Sequence, residues 1–152
     1  MVTTYAYCLL VNHFHLLIRI NENKDCQSSR PSKTSPSRAF ATLFSTYTKA
    51  INKSNQPNGS LFEKPFHRKI ITNEGYFTTL LEYIHLNPKI HGLVDDFHAW
   101  PFSSYRAILS EKTTKVNKEG TKGWFGDRDF FVDFHLRTTD FDKIYDIVDI
   151  DF

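Results

Sequence analysis

The first twenty residues alternate in a way that predicts two β-strands joined by a tight turn. Residues 3–11 alternate large and small side chains, and residues 13–20 are rich in Leu, Ile and Phe. The break at Val11 and Asn12 lacks the Asn-Gly signal of hairpins but is short enough for one. Because strand side chains alternate between faces, one face of the second strand carries His13, His15, Leu17 and Arg19. The two imidazoles are therefore expected to stand side by side.

Apolar residues at helical spacing predict an amphipathic helix over residues 38–53, with Ser37 as its N-cap. Its polar face carries basic side chains, which leaves that face free for a partner. A polar stretch over residues 21–37 precedes the helix and predicts a flexible linker. Residues 61–72, which follow a turn, contain strand-like pieces with basic residues between them.

A second helix is predicted from Glu74 to about Leu86, with Thr72 or Asn73 as its N-cap. Asn87-Pro88 is expected to end it, because the residue before a proline is pushed out of helical geometry. The core stripe of this helix consists of Phe77, Leu80, Leu81 and Ile84, whereas its flank carries Tyr76, Tyr83 and Asn87. Farther along, the pattern predicts a short helix reaching Leu109, a polar segment over residues 110–123 and a last aromatic cluster after it.

Length and composition narrow the class of protein. A chain of 152 residues fits one globular domain, and its 40% hydrophobic and 24% charged residues are ordinary for a soluble protein. The 15% aromatic content is high and supplies either core or stacking surfaces. Two cysteines without knuckle spacing argue against disulfides and cysteine metal sites. With no leader-like or membrane-spanning stretch in the sequence, we expect a cytoplasmic protein.

Charge is distributed unevenly, although the net charge is only +2. Residues 30–69 hold eight Lys and Arg against the single acid Glu63, whereas the segment from Asp140 onward holds five Asp and one Lys. The middle of the chain is therefore suited to face phosphates, and the tail is not. Ordinary solvated faces are the alternative, and charge alone does not decide between them.

Two residue patterns carry candidate chemistry. The imidazoles of His13-Phe14-His15 share one strand face and so suit a single divalent cation, although histidines so spaced are more often structural. Tyr83 on the second helix is a candidate nucleophile. Taken by itself, a tyrosine on an amphipathic helix is more often a core aromatic.

Four sequence blocks together resemble the single-tyrosine HUH transposases, in particular the REP-associated tyrosine transposase branch. HUH stands for His, hydrophobic residue, His. The blocks follow the family in order and spacing over residues 3–110. They are YAYCLLVNHFHLLI from Tyr5, GSLFEKPF from Gly59, YIHLNP from Tyr83 with HGLV from His91, and WPFSSY from Trp100.

The resemblance implies a fold, a reaction and a site. The fold would be α+β, a ferredoxin-like antiparallel sheet with helices packed on one face. His13 and His15 would bind Mg²⁺ or Mn²⁺, and Asn87, one turn after Tyr83, would be a third ligand where related enzymes use a polar residue. Tyr83 would attack single-stranded DNA, forming a 5′-phosphotyrosine and releasing a 3′-hydroxyl, and the reverse attack would rejoin strands.

Candidate contacts to the DNA backbone come from the basic middle of the chain. They are Lys49, Lys53, Lys64, His67, Arg68 and Lys69. Solvated lysines remain the alternative for each. The expected partner is single-stranded or hairpin DNA. The domain plan implied is a catalytic domain over residues 1–110, containing the 21–37 linker, and a C-terminal extension over residues 111–152 that packs on it.

Two departures from the family pattern affect these expectations. Family members carry an additional strand and helix before the block that opens at Thr3, so we expect an N-terminally truncated copy with an unpaired sheet edge beside the active site. A strand from a second subunit, and hence a homodimer, is one way to cover that edge. Val11 stands where a proline usually precedes Asn-His.

The rival hypothesis for the function is a catalytically impaired relative that only binds hairpin DNA. A third possibility, an unrelated structural or toxin-like protein, would require the four sequence blocks to match by coincidence.

Overall fold

The computed structural model describes residues 2–21, 35–55, 59–63 and 66–137. It contains two strands, five α-helices and a 3-10 helix within these ranges. In chain order they are β1 (Val2–Leu9), β2 (Phe14–Ile20), α1 (Pro36–Asn55), α2 (Glu74–Ile90), a 3-10 helix (Phe97–Ala99), α3 (Tyr105–Leu109), α4 (Lys118–Gly123) and α5 (Arg128–Arg137). The α+β class expected from the sequence is confirmed, and no helix in the described ranges is long and apolar enough to cross a membrane.

The chain divides into two compact units, although its length suggested one domain. The first unit comprises residues 1–21 and 71–152, and the second comprises residues 22–70. Residues 111–137 therefore share a unit with the strands. Most of the predicted linker, residues 22–34, and the acidic segment from Asp140 lie outside the described residues.

The predicted hairpin is present, and its turn is the two-residue loop Val11-Asn12. The backbone N–H of Leu10 donates to the carbonyl of His13 at 2.9 Å, which closes the loop. β1 and β2 pair antiparallel, with Cys8 opposite His15 and a bulge between Thr4 and Ala6. This register places His15 beside a wholly buried position of β1, so one face of the hairpin is turned into the core.

The sheet has two strands in the described part of the chain. β1 is flanked by β2 on one side, and isolated bridges join Thr4 to Val116 and Cys8 to Ser103. Among the described residues β2 pairs with β1 alone. The larger ferredoxin-like sheet implied by the resemblance stays a prediction.

The core of the first unit lies between the hairpin and α2 and continues into the later helices. Buried residues of the sheet, α2 and the segment after residue 110 belong to one apolar cluster: Ala6, Cys8, Leu17, Leu81, Ile84, Leu86, Phe125 and Phe131 are members. Each fully buried Leu, Ile or Phe side chain here contributes about 1.5–3 kcal/mol of transfer free energy. The polar segment and aromatic cluster expected after Leu109 fold into α4 and α5, two helices that the sequence pattern did not predict.

The predicted end of α2 is wrong, whereas the choice of Asn73 as a possible N-cap is confirmed. The Asn73 side chain accepts a hydrogen bond from the N–H of Tyr76 at 2.8 Å. At the other end the helix continues through Pro88 to Ile90. Leu93 N–H donates to the Pro88 carbonyl and Gly92 N–H to the Lys89 carbonyl, both at 2.9 Å, in a Schellman pattern. Gly92 has a φ of 65°, which suits glycine, so the helix stops there and not at the proline.

The second unit is built on α1, whose extent agrees with the prediction but whose cap does not. Ser35, and not Ser37, precedes the helix, and its hydroxyl accepts from the Arg38 N–H at 3.3 Å. Phe44 packs on Phe62 and Phe66, with ring centroids 4.8 and 5.4 Å away. The strand-like pieces predicted over residues 61–72 are wrong in the described part of that range, where the backbone forms no strand. Phe66 packs on α1, whereas Ile70 is exposed and Ile71 packs against the core of the first unit.

Candidate active site

The two imidazoles of the His-x-His motif lie together at the start of β2. Their ring centroids are 5.2 Å apart and their planes are nearly perpendicular. Both side chains are half-buried, and the Nε2 atom of each is buried. The Nδ1 atom of His13 lies 2.8 Å from Oδ1 of Asn12. The arrangement therefore presents the Nε2 side of the His13 ring to the interior.

Helix α2 brings the other two predicted site residues to this pair. The Tyr83 ring lies 5.4 Å from the His15 ring, measured between centroids. Asn87, one turn farther along α2, has its side chain close enough to both imidazoles to raise the pKa of each. His13, His15, Tyr83 and Asn87 thus form one cluster, although nearly seventy residues separate its two parts in the sequence.

Burial keeps both imidazoles in their neutral form. The pKa of His15 is lowered to about 4, chiefly by burial and then by the neighbouring His13 and His91, while the nearby Asn87 side chain acts in the opposite direction. The pKa of His13 is lowered chiefly by burial and then by His91, again against Asn87. A neutral imidazole is the form that binds metal ions, so these lowered pKa values favour metal binding by both side chains.

His91 is a member of the cluster that sequence reasoning did not assign to the site. Its ring centroid lies 5.0 Å from that of His13, and the residue is the C-cap of α2. The signal that could have found it is spacing: Tyr83, Asn87 and His91 follow one another at intervals of four residues. Because α2 was expected to end at Asn87, His91 was not placed on the same helical face as Tyr83 and Asn87.

The donor set fits a sparsely liganded divalent cation. Within the described ranges, no group of three or more His, Cys, Asp or Glu side chains is arranged to hold a metal ion. The available protein donors are two neutral imidazoles and the Asn87 amide. Such a set leaves coordination positions for phosphate oxygens and water, as Mg²⁺ and Mn²⁺ sites in phosphate chemistry commonly do.

Tyr83 lies deeper than its place on the helical wheel indicated. The sequence placed it on the flank of the apolar stripe, but its side chain is 0% exposed and its hydroxyl is buried. Every residue of α2 from Leu81 to Pro88 is buried, because β1 lies against one side of the helix and the 3-10 helix and α5 against others. A DNA strand cannot reach the hydroxyl in this conformation, so attack by Tyr83 requires a movement that uncovers it.

Comparison with known proteins gives one relevant similarity. The chain is 30% identical over 104 residues to a protein of Haemophilus influenzae named "Putative REP-associated tyrosine transposase". The aligned part is 67% of this chain and 58% of that relative, so the chain spans less than two thirds of the relative's length. This similarity supports a relationship to that family. No family model and no solved structure matches the chain.

Behind the site, a buried histidine network formed by His85, His135 and Ser104 joins α2 to α5 and β1. His135 Nδ1–H donates to the Phe131 carbonyl at 2.7 Å, so its Nε2 accepts from His85 Nδ1–H at 2.8 Å. The other His85 nitrogen then accepts from the Ser104 hydroxyl at 2.8 Å, and that oxygen accepts from the Tyr7 N–H at 2.9 Å. His85 is wholly buried.

The predicted DNA-contacting residues all lie within residues 22–70, the range of the second unit. Lys49 and Lys53 are exposed on α1, and His67, Arg68 and Lys69 are exposed in the segment after it. The Arg68 guanidinium lies over the Phe66 ring, 5.9 Å from its centroid, and donates to the Ser37 hydroxyl. Lys64 lies outside the described residues. The unit thus presents basic side chains to solvent, while the imidazole cluster belongs to the first unit.

Proposed function

We propose that this chain is the catalytic part of a metal-dependent single-tyrosine transposase that cleaves and rejoins single-stranded, hairpin-forming DNA. One observation supports the proposal most strongly: His13, His15, Tyr83 and Asn87 lie in one cluster. The similarity to a relative named as a tyrosine transposase supports the same reaction class. Transesterification by tyrosine conserves the phosphoester bond, so DNA can be rejoined without a nucleotide cofactor.

The proposed reaction is a balanced exchange of oxygens at phosphorus. The Tyr83 phenolic oxygen forms a bond to the phosphorus of a DNA phosphodiester, and the bond from phosphorus to the 3′-oxygen of the preceding nucleotide breaks. The phenol loses its proton and the departing 3′-oxygen gains one. The products are a 5′-phosphotyrosine and a free 3′-hydroxyl, and attack by a 3′-hydroxyl on that phosphotyrosine reverses the step.

The imidazoles and the amide have a binding role in this scheme. His13, His15 and Asn87 would hold Mg²⁺ or Mn²⁺, which when bound polarises a non-bridging phosphate oxygen. The two rings need to be neutral for this, and burial favours that form in both. The exposed cations Lys49, Lys53, His67, Arg68 and Lys69 would contact the phosphate backbone of the bound DNA, as would Lys64.

The decisive experiment removes one oxygen atom. Tyr83→Phe should bind Mn²⁺ and hairpin DNA but form no covalent adduct, because water cannot retain the strand for rejoining. A labelled hairpin oligonucleotide is incubated with protein and Mn²⁺, and adducts are measured on a denaturing gel and by intact mass. Tyr76→Phe, a change in an only partly buried tyrosine on the same helix, is the control and should keep the adduct. An adduct that persists in Tyr83→Phe would show that another tyrosine is the nucleophile.

A second candidate function is a DNA-binding relative that has lost turnover. The buried hydroxyl of Tyr83 favours it, since the nucleophile is closed off in this conformation. Under this alternative the wild-type protein binds the hairpin oligonucleotide but forms no adduct at any Mn²⁺ concentration. The same gel therefore separates the two candidates.

A further inference from the structure

We propose that Asn12 is a positioning residue that orients the His13 imidazole at the candidate metal site. The inference rests on the proposed function, which gives that site its purpose. It starts from one contact: the Asn12 side-chain oxygen lies 2.8 Å from Nδ1 of His13. The proposed reaction itself assigns no role to Asn12.

The contact decides which ring nitrogen carries the proton. A carboxamide oxygen only accepts hydrogen bonds, so Nδ1 of His13 must be the donor. A neutral imidazole has a single N–H, and its other nitrogen, Nε2, then carries the lone pair. Nε2 is the buried nitrogen of His13 and lies on the side of the cluster. The Asn12 contact therefore selects the tautomer that a metal ligand needs.

The hairpin holds Asn12 in place for this role. Asn12 is the second residue of a two-residue loop that the Leu10 to His13 backbone hydrogen bond closes. The loop keeps the side chain next to the imidazole even though Asn12 itself is exposed. Metal-binding histidines usually donate their outer N–H to an oxygen in this way, which fixes the ring orientation and raises ligand basicity. The position of Asn12 matches that of such an outer partner.

The first test reads the tautomer directly in the metal-free protein. Long-range nitrogen-proton NMR distinguishes Nδ1–H from Nε2–H in neutral His13. The wild type should show the Nδ1–H form, Asn12→Ala should shift to a mixture containing Nε2–H, and Asn12→Asp should restore Nδ1–H because a carboxylate also accepts. Asn21→Ala is the matched control. Asn21 donates to the Thr3 hydroxyl at 2.8 Å at the far end of the same hairpin, and its loss should leave the tautomer of His13 unchanged.

The second test measures Mn²⁺ affinity by titration calorimetry on the same four proteins. Asn12→Ala should weaken binding about 10- to 100-fold, the usual effect of removing an outer-shell partner. Asn12→Asp should bind at least as tightly as the wild type, and Asn21→Ala should bind equally.

Three outcomes decide between the ideas. An unchanged His13 tautomer in Asn12→Ala, or unchanged Mn²⁺ affinity in that variant, overturns the positioning role. A wild type that binds no Mn²⁺ overturns the metal site of the proposed function, while the tautomer measurement still decides whether Asn12 orients the ring. Failure of the inference is thereby separated from failure of the function.

Discussion

At the scale of single residues, the candidate site contains histidine and tyrosine side chains in environments that are uncommon for these residue types. His13 and His15 are neutral, half-buried and adjacent, where isolated surface histidines would be solvated. Tyr83 belongs to the core by its burial and to the site by its contact with His15. Each residue alone has an ordinary structural explanation. Their position together in one cluster is what favours a catalytic or metal-binding role.

Removing either imidazole should remove metal binding while leaving the fold intact. His13→Ala and His15→Ala each delete one of two nitrogen donors, and neither side chain is fully buried in the core. We expect Mn²⁺ binding and metal-dependent cleavage to be lost, measured by titration calorimetry and the adduct gel. His67→Ala, which removes an exposed imidazole in the second unit, should leave Mn²⁺ binding unchanged. Equal Mn²⁺ affinity in the double variant His13→Ala/His15→Ala and the wild type would refute the ligand assignment.

At the scale of secondary-structure elements, α2 is the helix that positions the site. It carries Tyr83 and Asn87 toward the hairpin, and the same helix carries His85 into the buried histidine network behind. That network links α2 to α5 through His135 and to β1 through Ser104. A fully paired network of buried polar groups favours one packing arrangement, since any shift would leave donors or acceptors unsatisfied.

Ser104→Ala should destabilise the first unit strongly for so small a change. It removes the donor to the buried His85 and the acceptor of the part-buried Tyr7 N–H, leaving both groups without these partners. At about 1–3 kcal/mol for each, the free energy of unfolding should fall by about 2–6 kcal/mol. Urea denaturation followed by fluorescence measures this. Ser110→Ala removes only a part-buried bond to the Ala107 carbonyl and should cost about 1 kcal/mol; similar losses in both variants would contradict the network.

The same network predicts loss of stability in mild acid. Burial lowers the pKa of His135 to about 4 from an ordinary value near 6.5, so the unfolded chain binds a proton that the folded protein excludes. The stabilisation is complete above about pH 6.5 and is lost as the pH falls toward 4, by about 3 kcal/mol for this group.

Urea midpoints between pH 7 and 4.5 measure this loss. His135→Gln keeps an acceptor for His85 but does not titrate, so its stability should fall less over that range. Carboxylates titrate alike in both proteins, so the difference between the two curves reports His135 together with its effect on the pKa of the paired His85. Parallel curves would contradict the assignment.

At the scale of the whole molecule, the described part of the chain separates two kinds of surface. The first unit holds the imidazole cluster and the aromatic core, and the second presents Lys49, Lys53, Arg68 and Lys69 on exposed positions. The net charge of only +2 does not reveal this uneven distribution of basic side chains. DNA affinity is therefore expected to depend on the basic face of one unit and covalent chemistry on the other.

Salt dependence tests that division. Binding of a labelled hairpin oligonucleotide, followed by fluorescence anisotropy, should weaken as salt rises, because phosphate contacts release counterions. Lys49→Ala and Lys53→Ala should each reduce the slope of log affinity against log salt by about 0.7–0.9 if each contacts one phosphate. Lys115→Ala, an exposed change in the first unit, should leave the slope unchanged. Salt-independent binding by the wild type would contradict the electrostatic interface.

Local regularities were enough to predict several elements from the sequence. The period of two along residues 3–20 determined the hairpin and placed His13 and His15 on one face, and helical spacing determined α1 and most of α2. These features depend on neighbours in the sequence, because side-chain direction in a strand or helix repeats with a fixed period. The metal ligand roles and the nucleophile stay predictions that rest on the resemblance.

Tertiary structure alone decided how those elements meet. The helical wheel gave Tyr83 a flank position, but the helices and strands that pack against α2 bury its side chain completely. His91 joined the cluster because the helix runs past Pro88, and His85 met His135 across fifty residues of sequence. A helical wheel shows which residues share a face of one helix, but it carries no information about the other elements that pack against that face. Contacts between distant segments depend on the whole packed core, which is why the sequence and the resemblance could name His13, His15, Tyr83 and Asn87 as candidates but predicted neither their burial nor the network behind them.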